Sequence, residues 1–201
     1  DEDGDTLTNQ IQWFRNGSPV PELEGRELVS ATETEKGQLW TVEVQMNDGF
    51  GLSETSTAQT TIQNTPPQID TISISPDTEV NTTTLLSCTS TNSDLDGDTL
   101  DTTYVWQILS NGSFGDLTES SSLFPLNTNI VQPGDRVYCT TQVNDGETTA
   151  TDNTFVVVEN TPPQITEVLL LPSSGVRPDV QLSCNATAVD PDGTTPTIQY
   201  R

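Results

Sequence analysis

A hexapeptide, Asn64-Thr65-Pro66-Pro67-Gln68-Ile69, returns 96 residues later as Asn160-Thr161-Pro162-Pro163-Gln164-Ile165, and this constrains the fold more than anything else in the chain. Cys88 and Cys184 keep the same spacing, as do Asp94 and Asp190, and Tyr104 and Tyr200. One copy earlier the interval is 93, from Asp1 to Asp94 and from Trp13 to Trp106, while Asn47-Asp48-Gly49 precedes Asn144-Asp145-Gly146 by 97. A fixed period means a string of similar structural units. Residues 65–160 hold one whole unit, residues 1–64 lack its beginning, and residues 161–201 lack its end. The chain therefore reads as a window on a longer array. Strand exchange between chains is the competing reading. It is the weaker one, because residues 190–201 and 1–13 repeat the same stretch and would compete for one strand position.

Within the whole unit, apolar residues alternate with polar ones as strands require. Ile72 and Ile74 mark a first strand, Leu86 and Cys88 a second, and Tyr104, Trp106 and Ile108 a third that ends at the hairpin signal Asn111-Gly112. Val137, Cys139, Thr141 and Val143 alternate into Asn144-Asp145-Gly146, and Val156 with Val158 closes the unit. No stretch has helical periodicity. About seven short strands in such a unit make a β-sandwich, so the expectation is an all-β chain of tandem sandwiches. The hydrophobic fraction of 31% is low, but Thr-rich strands fold with less, because Thr suits a half-buried pleated surface.

The charge balance excludes some functions. Six basic residues against 30 acidic ones leave −24, which argues against nucleic acid and anionic membrane as partners, since phosphate binding depends on Lys and Arg. No apolar run approaches the ~18 residues of a membrane span. There is no His, so Ser-His-Asp and Cys-His catalysis and His-ligated metal hydrolysis are closed. The paired carboxylates recur with the repeat, which marks them as structural, so no enzyme is expected.

Asp94-Leu95-Asp96-Gly97-Asp98 has a near copy at Asp1-Glu2-Asp3-Gly4-Asp5 and a weaker one at Asp190-Pro191-Asp192-Gly193-Thr194. Alternating carboxylates around a glycine gather oxygen donors on one side of a turn, as a hard cation such as calcium needs. The twelfth position from Asp94 is Val105 and not Glu, so this is no EF-hand. The plainer alternative is an Asp-Gly turn whose charges are solvated.

Cys88 on the second strand, Trp106 on the third and Cys139 on the sixth follow the Cys…Trp…Cys order of immunoglobulin-like domains. The run Asp96-Gly97-Asp98…Tyr104-x-Trp106 also resembles the Ig-like and PKD-like repeats of bacterial extracellular surface proteins, and the resemblance covers the chain in about two register-matched copies. It departs at Val137, where immunoglobulin domains carry Tyr. The resemblance implies a Cys88–Cys139 disulfide behind Trp106, with buried free thiols of a reducing compartment as the alternative. Val42 replaces the second Cys in the first unit, and Cys184 has no partner within the chain. The fold so implied also places the loops after its second and sixth strands at the end where the preceding linker enters. Asp94, Asp96, Asp98, Asn144, Asp145 and Asn64 would then converge on a calcium ion, with Asp1, Asp3, Asp5 and Asp48 as counterparts in one copy and Asp190 and Asp192 in the other. Two carboxylates about 5 Å apart repel by roughly 0.8 kcal/mol in water and about 3 at intermediate dielectric. Such a cluster, with no Lys or Arg nearby in sequence, would splay or take a cation. The third unit would bind more weakly, since Thr194 replaces the last Asp.

Repetition, acidity and the resemblance together imply an extracellular structural or adhesive segment, a stalk, fibre or surface filament, whose partners are neighbouring repeats and other copies in a filament or surface layer. Pro-Pro linkers restrict the joints. The runner-up is a carbohydrate-type ligand-binding module, for which Phe50, Phe114 and Phe124 are candidate loop aromatics.

Overall fold

The computed structural model describes residues 6–116 and 120–201. The chain forms two compact units: one holds the chain up to Pro66 together with Asp94–Thr99, the other Pro67–Ser93 with Leu100–Arg201.

The first unit is built on one antiparallel sheet. Its strands β1 (Thr8–Arg15), β2 (Ser18–Pro19), β3 (Leu39–Asn47) and β4 (Ser56–Thr61) lie in the order β2-β1-β3-β4. β1 and β2 meet at Asn16-Gly17, where φ is 50° and 79°. Two consecutive left-handed residues give the turn whose twist matches that of its strands, which is why Asn-Gly sits there. Val20, Leu23 and Trp40 form a small core, with Trp13, Val29 and Ile62 packed against it. Two three-residue 3₁₀ turns, Pro21–Leu23 and Ala31–Glu33, connect β2 to β3.

In the second unit, residues 67–160 make a seven-stranded sandwich. One sheet holds β5 (Gln68–Ser75), β6 (Leu85–Ser93) and β9 (Leu123–Pro125), in the order β5-β6-β9. The other holds β7 (Asp101–Ser110), β8 (Ser113–Asp116), β10 (Arg136–Asn144) and β11 (Thr149–Val157), in the order β11-β10-β7-β8. Alternate residues of both sheets fill the space between them, among them Ile74, Leu86, Trp106, Val137 and Val156. The Cys88–Cys139 disulfide joins β6 to β10 across the two sheets. Trp106 lies opposite Cys139 in the ladder, wholly buried, stacked on Phe124 at 5.3 Å. Its indole N–H donates to the Ser121 carbonyl at 2.8 Å, so this donor is not stranded in the core. A bridge across a sequence separation of 51 stabilises by about 4 kcal/mol in the chain-entropy model. Strand order, disulfide and buried Trp together make this an immunoglobulin-like β-sandwich. Phe124, expected as a loop aromatic, instead belongs to the core of this sandwich. It lies on a strand of three residues, too short to show alternation in sequence.

The outer face of the three-stranded sheet is zipped by hydroxyls: Thr71 with Thr91 at 2.7 Å and Ser73 with Thr89 at 3.0 Å. The last pair of strands, β12 (Gln164–Leu171) and β13 (Ser183–Val189), repeats β5 and β6 in detail. The register slips at Ile165/Glu167, as it does at Ile69/Thr71. Thr166 and Thr187 again share a hydroxyl bond, at 2.8 Å. Burial separates the two pairs: Ile74 is 6% exposed, whereas its counterpart Leu170 is 56% exposed.

Candidate cation site

The loop Asp94–Thr99 follows β6. Asp94 Oδ1 accepts the backbone N–H of Asp96 at 2.8 Å and of Asp98 at 3.2 Å, which curls the chain around one carboxylate. Gly97 sits at φ +77°, a conformation that costs other residues energy. The result brings one carboxylate oxygen each from Asp94, Asp96 and Asp98 within 4.8 Å of one another. Asp96 also reaches back 31 residues, accepting the Thr65 N–H of the Pro-Pro linker on Oδ2 at 2.6 Å and its hydroxyl on Oδ1 at 3.4 Å.

Lys36 enters this cluster from 62 residues away in sequence. Its ammonium donates to Asp98 Oδ2 and, at 3.0 Å, to Asn64 Oδ1. One positive charge faces three negative ones. Asp94 Oδ2 remains buried and accepts no hydrogen bond from the protein. Calcium takes six to eight oxygen ligands, and the first loop offers carboxylate oxygens of Asp94, Asp96 and Asp98 beside the Asn64 amide oxygen. These residues fit a hard divalent cation, with Lys36 as a resident competitor.

The second loop has the same turn and a different inventory. The Asp192 N–H donates to Asp190 Oδ1 at 2.9 Å, and Asp192 Oδ2 accepts the Thr161 N–H at 2.6 Å, matching Asp96 and Thr65. Thr194, however, donates its hydroxyl to Asp190 Oδ2 at 2.6 Å, the position left bare on Asp94. Thr82 donates to the other oxygen of Asp192 at 3.0 Å, and Asp192 is 1% exposed. Every carboxylate oxygen here already accepts a hydrogen bond, so this loop is a poorer fit for an ion.

The Asn-Asp-Gly turns spend their oxygens on themselves. Asp48 Oδ1 accepts the N–H of Phe50 at 2.8 Å and of Gly51 at 2.7 Å, which together hold its carboxyl below the ordinary value. Asp145 accepts from Glu147 and Thr148, and Asn144 Oδ1 from Gly146. Asp1, Asp3 and Asp5 lie outside the described residues. Of the expected ligands, the structure thus brings together Asp94, Asp96 and Asp98, with Asn64 linked through Lys36.

No family model matches the chain, and no curated protein does. Among solved structures, the amphioxus IgVJ-C2 molecule is similar. It is 13% identical, covering 75% of this chain and 89% of that one, with a TM-score of 0.32. The immunoglobulin-like assignment rests on strand order, disulfide and buried Trp, not on this likeness.

Lys36 escaped the sequence reading because a partner 62 residues away leaves no local pattern. Its trace lies in the repeat alignment. Gly37 aligns with Gly134, which puts Pro133 in the place of Lys36, and Thr194 stands in the place of Asp98. The ammonium and the carboxylate it meets are replaced together.

Proposed function

We propose that this chain is part of an extracellular structural or adhesive array, in which immunoglobulin-like repeats are joined by stiffened linkers and the first acidic loop holds calcium. The observation that carries the reading is the repeated latch on the linker. Thr65 N–H to Asp96 and Thr161 N–H to Asp192 are the same bond, at the same 2.6 Å, 96 residues apart. A Pro-Pro linker already has restricted φ, and a charge-assisted bond from the residue before it fixes the entry of the chain into the next repeat. Repetition of a joint, and not of a cleft, is what a spacer or fibre requires. The disulfide is compatible with an oxidising, extracellular setting. No helix among the described residues is long and apolar enough to cross a membrane.

Titrating the calcium-stripped chain with calcium tests this, with melting temperature and small-angle scattering as readouts. The expected result is a higher melting temperature and a narrower distribution of overall dimensions. Identical melting and scattering with EDTA and with millimolar calcium would remove the ion from the proposal.

A further inference from the structure

The outward face of the sheet β11-β10-β7-β8 carries a feature that the acidic loops do not explain. Side chains alternate along a strand, so while Val137, Cys139 and Thr141 of β10 enter the core, Arg136, Tyr138 and Thr140 point away from it. Tyr138 is paired with Phe155 of β11, their ring centroids 5.0 Å apart, and Phe114 of β8 reaches Tyr138 at 5.4 Å. The Arg136 guanidinium lies over the Phe155 ring, 5.0 Å from its centroid. Phe114 is 58% exposed and Phe155 43%. The chain has 30 acidic residues against six basic ones, yet the ion pairs among the described residues involve Arg26 and Lys36 and leave Arg136 without a carboxylate.

Cross-strand ring pairs stabilise sheets, and that alone would account for an aromatic row if the fold needed it. The first unit shows that it does not. Its sheet has the corresponding strand order, and its register puts Thr41 and Gln59 where the second unit has Tyr138 and Phe155, with Leu39 in place of Arg136, while its first hairpin turns at Asn16-Gly17 before reaching a position for Phe114. A device absent from one copy of a repeated sheet belongs to something other than the sheet.

We propose that this face binds a carboxylated carbohydrate. Ring faces of Tyr138, Phe155 and Phe114 take the C–H side of the sugar, and Arg136, pre-oriented by its stack on Phe155, takes the carboxylate through paired N–H donors. Charge complementarity selects an acidic sugar: an unpaired guanidinium beside exposed rings matches a carboxylate on an apolar ring. The surrounding face carries Thr103, Thr140, Gln142, Thr151 and Asn153, short hydroxyls and amides suited to sugar hydroxyls, together with the apolar Val105, Leu109 and Val157. A stable protein interface needs roughly 800 Å² per partner, and here the apolar side chains gather at the Arg136 end while hydroxyls and amides fill the Thr103 end of the face. The overall −24 charge repels an acidic ligand at a distance, but screening over ~8 Å at physiological salt leaves the local guanidinium dominant. This site stands independently of the calcium proposal.

The experiment is a calorimetric and NMR titration of the full 201-residue chain with an oligogalacturonate, beside a neutral galacto-oligosaccharide of equal length, at physiological salt. Saturable binding of the acidic sugar is expected, at least tenfold tighter than of the neutral one. Arg136→Gln should lose that preference with unchanged melting temperature, and Phe155→Ser should weaken binding several-fold in a chain that remains folded at the titration temperature, its melting temperature lowered by the lost ring pair. Arg136→Lys should restore little, because an ammonium cannot form the fork. Absence of binding, equal affinity for the two sugars, or indifference to Arg136→Gln overturns the proposal. So does concentration-dependent self-association that Arg136→Gln abolishes, which would make the face a contact between copies.

Discussion

Asp94-Leu95-Asp96-Gly97-Asp98 and Asp190-Pro191-Asp192-Gly193-Thr194 build the same turn and hold the same linker threonine, yet they dispose of their charge in opposite ways. The second loop neutralises nothing; it surrounds its carboxylates with donors from Thr82, Thr161 and Thr194. The first keeps a third carboxylate, recruits Lys36 against it, and leaves Asp94 Oδ2 buried and bare. A buried charge must be hydrogen-bonded or paired. One loop takes the first course completely and the other takes the second incompletely, which is the physical ground for proposing an ion at only one of them.

The comparison can be broken at its most buried point. Asp192→Ala strands the Thr161 N–H and the Thr82 hydroxyl and should cost about 3 kcal/mol, since hydrogen bonds to charged groups are worth roughly 1.5–3 kcal/mol each. Asp96→Ala, in the less enclosed loop, should cost about half as much by the same reasoning. Equal losses in urea unfolding would mean that the two loops are not energetically distinct.

Exchanging one residue sharpens the contrast. Thr194→Asp supplies the third carboxylate and frees Asp190 Oδ2, without bringing the competing ammonium, and should give that loop a calcium response measurable as a rise in melting temperature. Should this variant stay indifferent to calcium while the natural first loop responds, the third carboxylate is not what separates the two loops.

A smaller effect is expected at Lys36. Its contact with Asp98 is about three-quarters buried, so Lys36→Met should cost about 1 kcal/mol in calcium-free buffer, a value discounted for the solvent that remains. The same change removes the competitor and should tighten calcium binding by about tenfold, as one fewer like charge must be displaced. Weaker calcium binding in Lys36→Met would show that the lysine supports the site instead of occupying it.

The smallest effect lies outside both loops, at Asp48, and serves as a reference for them. Its carboxyl is held below the ordinary value by the Phe50 and Gly51 N–H groups, so its folded pKa lies under its unfolded one. The stability it contributes is complete above the unfolded value of about 4 and drains away as pH falls through the folded value. Asp48→Asn should therefore be slightly less stable than the parent at pH 6 and indistinguishable from it near pH 2, as read by thermal melts.

How much of the molecule was legible in the sequence depends on the range over which each signal acts. Strand periodicity and turn signals are local, so β5, β6, β7 and β10 could be read from alternation, and Asn111-Gly112 from its dipeptide. The repeat converted single motifs into equivalent positions, which is how Asp94, Asp96 and Asp98 came to light. Lys36, Thr82 and Thr161 act across 31 to 110 residues, and no local pattern reports such distances. Of the aromatic row, Phe114 was read as a loop residue and lies instead on β8, while Tyr138 and Phe155 were missed for a related reason: the three sit on different strands, and only the pairing makes them neighbours.

The hairpin of β5 and β6, apolar on one face and hydroxylated on the other, also has a consequence for synthesis. A ribosome delivers this hairpin before β7, so Ile74 and Leu86 stay uncovered until the Trp106-bearing strand emerges. The hydroxyl zips on the opposite side, Thr71 with Thr91 and Ser73 with Thr89, make that side a poor surface for hydrophobic clustering. The nascent hairpin is therefore sticky on one side only, the side that β7 and β10 arrive to cover.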